Sequence, residues 1–240
     1  ITQTASVTVS PGPMSASQST LAAAPASIVV GSGTATITVT AKDANGNPIS
    51  GATVVLAATG SGNTLTQPAG PTNASGVATG TLSATVAEAK TVSATIDGTD
   101  ITGTAVVTVT PGAVSAAQST VVAAPTSLTA GSGSSTITVT VKDANGNPIG
   151  GATVVLAATG TGNTLTQPGL TDASGVATGT LSSTGAGAKT VSATANGTAI
   201  TQTASVTVSP GPISASQPTL AAAPASIVVG SGTATITVTA

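Results

Sequence analysis

The sequence predicts an all-β chain of tandem sandwich domains. Three observations lead there: a long-range repeat, a period-two alternation of apolar and polar residues, and Gly, Pro or Asn punctuation between short runs that show no helical periodicity. The repeat is nearly perfect. Ile1 to Ala41 recurs as Ile200 to Ala240, with Met14 replaced by Ile213 and Ser19 by Pro218 as the only differences. A second echo lies inside it, since PGPMSASQST at Pro11, PGAVSAAQST at Pro111 and PGPISASQPT at Pro210 mark starts 100 and 99 residues apart. The unit is thus a domain of ordinary size in two alternating versions. Residues 1–10 read as the last strand of a preceding repeat, 11–110 and 111–209 as two full repeats, and 210–240 as the first strands of a following one. The two end pieces together supply only a last strand and the first two, so end-swapping cannot complete a repeat, and the chain is expected to be an excerpt of a longer array.

Each repeat begins with an apolar segment broken by Pro (Pro25, Pro125, Pro224). A Pro there demotes the strand to an edge or splits it so that its halves pair with different sheets. Next, Ile37, Val39 and Ala41 alternate with Thr36, Thr38 and Thr40, and Ile137, Val139 and Val141 with Thr136, Thr138 and Thr140, the signature of a half-buried strand. KDANGNPI at Lys42 and Lys142 reads as a turn, because Asn-Gly and Pro supply turn geometry. It leads into GATVVLAATG, with Val54 and Leu56 inward. In ASGVATGTLS the alternation from Leu82 and Leu181 places Ala78 and Ala177 on the same inward face, with Gly80 and Gly179 between. KTVSAT follows with Val92 and Val191 inward, then a closing strand with Val107 and Val109, or Val206 and Val208, inward. About seven short strands per repeat is the pattern of an immunoglobulin-like sandwich. The last strand of one repeat runs into the next through Pro-Gly and one or two residues, which favours an extended rod.

Composition narrows the function. The chain has no Phe, Trp, Tyr, Cys or His, so its core is built from Val, Ile, Leu, Ala and the Thr methyl. Four Lys (42, 90, 142, 189) face six acids (Asp43, Glu88, Asp97, Asp100, Asp143, Asp172), a net charge of −2 over 240 residues. Without Arg or aromatic side chains there is no platform for nucleic acid. A near-neutral surface with positive mean hydropathy permits lateral association, because like-charge repulsion is weak. Absent Cys removes disulfides and thiolate metal sites. The longest apolar run, Leu21 to Val30, is broken by Pro25 and is far shorter than the roughly 18 residues of a membrane span.

Asp43, Asn45 and Asn47, repeated as Asp143, Asn145 and Asn147, have the 1, 3, 5 spacing of a calcium loop. The twelfth position, however, falls on Val54, and Pro48 stands where that loop needs Gly, so a β-turn is expected. Asp97 and Asp100 could be drawn as a carboxylate pair, yet their counterparts are Asn196 and Ala199. No His is available to activate a Ser or Thr. A Lys to Asn cross-link would need a buried acid, and the second repeat holds only Asp143, beside Lys142, and Asp172. Thr34, Thr36, Thr38 and Thr40 resemble an ice-binding hydroxyl array, although outward Thr is simply what strands favour. Sequons occur at Asn73 and Asn196, opposite Asp172 and Asp97 in the other repeat. No catalytic, cofactor-binding or metal residue, and no cofactor, is therefore assigned.

KDANGNPISGATVVL, TNASGVATGTLS and KTVSAT, in that order, closely resemble bacterial immunoglobulin-like domain group 1, found in the stalks of invasin and intimin type adhesins. The resemblance spans both full repeats and the partial third. It implies spacer modules of an extracellular bacterial surface protein or secreted fibre, with receptor binding in terminal domains, and it carries no binding residue onto these positions. The expected partners are neighbouring modules of the same chain and, through lateral association into a filament or sheath, other copies. A glycan- or ice-binding surface module is the alternative.

Overall fold

The computed structural model describes residues 2–214, 216, 219–230 and 232–239. Pro218, one of the two positions at which the long repeats differ, lies outside the described residues, as do Ile1 and Ala240. Strands alone make up the regular structure, and no helix occurs among the described residues.

The first sandwich holds β1 (Thr20–Ala24), β2 (Ser27–Val29), β3 (Ala35–Thr40), β4 (Val54–Ala58), β5 (Asn63–Thr66), β6 (Val77–Ala84), β7 (Ala89–Ile96), β8 (Thr99–Asp100) and β9 (Ala105–Thr110). One sheet runs β1-β3-β6-β5 and the other β2-β9-β7-β4, with the two-residue β8 against β7. That is the order of a constant-type immunoglobulin sandwich whose leading strand serves both sheets. Pro25 causes the split. It lies between β1, antiparallel to β3, and β2, parallel to β9, so the chain changes sheet where Pro cannot donate to a ladder. With β1 and β2 counted as one interrupted strand, and the short β8 set aside, the seven expected strands are present.

The second sandwich repeats this with β10 (Thr120–Ala124), β11 (Ser127–Thr129), β12 (Ser135–Thr140), β13 (Val154–Ala158), β14 (Asn163–Thr166), β15 (Val176–Ser183), β16 (Gly187–Ala195), β17 (Thr198–Ala199) and β18 (Ala204–Ser209). Its sheets run β10-β12-β15-β14 and β11-β18-β16-β13, with β17 against β16. Beyond it, β19 (Thr219–Ala223) and β20 (Thr235–Thr239) form a two-stranded antiparallel ladder. Residues 2–10, expected as a strand, have no ladder partner and no strand assignment among the described residues. The same sequence at Ala204–Ser209 is a strand because β16 and β11 hydrogen-bond to it from both sides.

The chain divides into two compact units: residues 1–119 with 140–152 and 171–176, and residues 120–139 with 153–170 and 177–240. In the first unit the core takes alternate residues from both sheets, including Ile37, Val39 and Leu82 from one and Leu56, Val92, Ile96 and Val107 from the other. Every inward residue named from the alternation is buried, in both sandwiches. Burying each Val, Leu or Ile contributes about 1.5–3 kcal/mol relative to exposure. Gly80 sits on that inward face, opposite Ile37, for a steric reason: a Cβ there would lie 2.5 Å from Leu56 Cδ1 and would also strike the Thr66 carbonyl.

Candidate functional site

The polar side chains that stand out in the sequence are spent on backbone groups. Asp43, 2 % exposed, is surrounded by donors: its Oδ1 accepts the amides of Asn45 and Asn47 at 2.9 Å each, and its Oδ2 accepts Asn47 Nδ2 and the Gly12 amide, also at 2.9 Å. These bonds, the Asn47 side chain first and then Gly12, hold its pKa down at about 2 against a partial opposing effect of burial. The 1, 3, 5 spacing is therefore a turn whose carboxylate closes the loop and fixes the segment entering the repeat. Asp143 repeats the arrangement with Gly112, Asn145 and Asn147; burial pulls its pKa up, and the donated bonds outweigh this and lower it. No group of three or more His, Cys, Asp or Glu that could hold a metal occurs among the described residues.

Asp97 lies in the β7–β8 hairpin loop, and Asp100 lies in β8 paired with Thr95. Asp97 and Gly98 are the two-residue loop joining β7 to β8, with φ of 49° and 80°, the left-handed pair that a type I′ turn requires. The Asp97 Oδ1 accepts the Thr53 amide at 2.8 Å, and Asn196, φ 47°, does the same for Thr153 at 2.9 Å. Asp and Asn alternate here because both tolerate this backbone and both present an acceptor. Of the sequons, Asn73 has its Oδ1 accepting the Ser75 and Val77 amides, as Asp172 does for Ser174 and Val176, and Asn196 uses its Oδ1 on Thr153. Of the Thr ladder, Thr36, Thr38 and Thr40 are in β3, with Thr36 opposite Thr81 and Thr38 opposite Thr79 on β6, while Thr34 precedes the strand.

Two features were missed in the sequence. Lys90 is fully buried, and its Nζ donates to the Ser61 carbonyl at 2.5 Å and to Glu88 Oε1 in an ion pair that lowers the Glu88 pKa. Lys189 is also buried, but Gly187 stands where Glu88 would be, and its Nζ donates to the Thr161 carbonyl at 2.9 Å. The signal was present: Lys90 lies two residues before Val92 in the same alternation, so it had to point inward. The other feature is Asn147, at 7 % exposure, within the first unit. Its Nδ2 donates to the Thr85 carbonyl and its Oδ1 accepts the Ala87 amide, both at 3.0 Å. Asn47, at the matching position of the preceding repeat, is exposed.

Immunoglobulin-like repeats whose charged groups serve turns and backbone, with no convergent reactive cluster among the described residues, define a class of tandem β-sandwich modules. Within that class the chain belongs to the family described as Invasin, domain 3, which it matches over residues 15–112 and 115–211. It is 35 % identical over 182 residues to the inverse autotransporter adhesin YeeJ of Escherichia coli K12, covering 74 % of this chain and 8 % of that protein's length. Among solved structures it is similar to the Escherichia coli adhesin FdeC, with TM-score 0.72 and 32 % identity over 96 % of this chain and 76 % of that one. It is also similar to InvD of Yersinia pseudotuberculosis, with TM-score 0.65 and 31 % identity over 85 % and 62 %. A third similar structure is invasin, described as a bacterial integrin-binding protein, with TM-score 0.64 and 25 % identity over 87 % and 42 %.

Proposed function

We propose that this chain is a stalk segment of a bacterial surface adhesin, with repeats 11–110 and 111–209 acting as spacers that carry a binding tip away from the cell. The observation that carries this reading is that the conspicuous polar groups (Asp43, Asn73, Asp97, Lys90 and their counterparts) hydrogen-bond the chain's own backbone, which gives them structural work. The adhesin relatives support it, and this chain spans a small fraction of the length of one of them. Reach and display then scale with the number of repeats.

The test is made in the whole surface protein. Deleting one 99-residue repeat is expected to shorten the distance between tip and cell envelope while leaving adhesion to an accessible target intact. The purified 240-residue chain is expected neither to bind target cells nor to compete with the whole adhesin. Competition by the purified chain, or specific binding on a glycan array, would overturn the spacer reading in favour of a ligand-binding module.

A further inference from the structure

The Asn147 contact is asymmetric between repeats: the same turn residue is covered in the second repeat and exposed in the first. Asn147 is buried because the β6–β7 loop of the first repeat covers it: Thr85 supplies a carbonyl and Ala87 an amide, the two complementary groups a carboxamide can satisfy at once. Asn47 has the same local turn, with the same bonds to its aspartate, yet it is exposed. The loop that would cover it is built in the second repeat. Thr184 bonds Gly162 through both its amide and its hydroxyl, as Thr85 bonds Gly62, and Gly131 bonds the Ser183 carbonyl as Gly31 bonds Ala84. Thr184 and Ala186 therefore stand where Thr85 and Ala87 stand in the first repeat. Residues 1–10 are identical to 200–209, the end of the second repeat, so a second-repeat loop is the piece that fits in front of Asn47.

We infer that the DANGN turn is a docking surface for the β6–β7 type loop of the preceding repeat, with the second Asn as a latch. Its occupant at Asn47 is the Thr184–Ala186 loop of another second-type repeat. Each latch closes both a donor and an acceptor, and the Asp43 or Asp143 carboxylate holds the Asn in place through its Nδ2. The inference deepens the spacer reading and rests on it only for repeats being in series.

Hydrogen exchange of the 240-residue chain, and of the same chain extended in front of Ile1 by a second copy of residues 111–199, tests it. That extension restores a whole second-type repeat, because residues 1–10 supply its end. Asn147→Ala is expected to speed exchange at the Ala87 amide about tenfold, the equivalent of one lost hydrogen bond, without changing core amides such as Val39. In the extended chain, the amide matching Ala186 in the added copy is expected to be protected about tenfold over Ala186 itself, and Asn47→Ala to cancel that protection. Asn47→Ala in the unextended chain controls for the turn's own loss. An Ala87 amide indifferent to Asn147→Ala, or an added-copy amide that exchanges as fast as Ala186, would overturn the latch. Neither result bears on lateral association, which is read by mass against concentration.

Discussion

Gln67 closes both backbone groups of Leu56: its Oε1 accepts the Leu56 amide at 2.7 Å and its Nε2 donates to the Leu56 carbonyl at 2.9 Å. Leu56 lies in β4, the last strand of its sheet, so these are groups that face away from β7. Two residues before β4 the Thr72 side chain and backbone do the same for Ala52. Gln167 repeats the arrangement on Leu156. A strand edge is a template for adding another strand, and side chains that occupy its donors and acceptors blunt it. The near-neutral surface permits lateral association, but this edge resists it.

Gln67→Leu is accordingly expected to destabilise the fold by about 1–3 kcal/mol, because it leaves partly buried backbone groups without partners. It should also introduce concentration-dependent association, read by denaturant unfolding and light scattering on one preparation. Loss of stability with an unchanged mass would show that the edge is protected by other means.

The two buried lysines should respond differently. Glu88→Gln takes away the counter-charge of the buried Lys90 and is expected to lower stability, an effect moderated by solvent because the Glu88 side chain is 39 % exposed. Lys189→Met orphans no opposite charge and is expected to change stability by less than about 1 kcal/mol. Denaturant midpoints of the two variants decide this, and equal costs would contradict it. Gly187→Glu is not the reverse experiment, since Gly187 has φ 119° and a side chain there would be strained.

Asp97→Asn is expected to be neutral within about 0.5 kcal/mol, because Asn196 already fills the equivalent position with the same φ and the same acceptor bond. Asp97→Val should cost about 1–3 kcal/mol, since a β-branched residue is disfavoured at positive φ. Thermal unfolding of both variants checks the pair. A large effect of Asp97→Asn would mean that the negative charge itself has a role.

Acid should weaken the fold through the turn carboxylates. The folded pKa of Asp43 is about 2, below its ordinary 3.8, so its contribution to stability is fully present above the ordinary value and is lost as pH falls through about 2. Asp143 and Glu88 are shifted in the same direction. Denaturant unfolding at a series of pH values from 5 to 2 is expected to show stability falling below about pH 4, with a shallower fall for Asp43→Asn.

The fold was legible because period-two alternation states which side chains face inward, and Ile37, Val54, Leu82, Val92 and Val107 all lie in the core. The split leading strand was legible from Pro25, since the missing N–H constrains pairing directly. Lys90 and Lys189 share the alternation of Val92 and Val191, which points inward, but the tendency of ammonium groups to stay in water runs against that signal. The Asn147 latch and the Gln67 clamp could not be read at all. Both depend on which loop folding brings beside the side chain, and the identical local sequence around Asn47 and Asn147 gives an exposed residue in one place and a buried one in the other.

The most direct measurement is the solution mass of the 240-residue chain by light scattering, with small-angle X-ray scattering, across a concentration series. A monomeric mass that does not change with concentration is expected of a spacer whose β4 and β13 edges are clamped. Growth into fibres or bundles would contradict the spacer assignment and make self-assembly the function of the repeats.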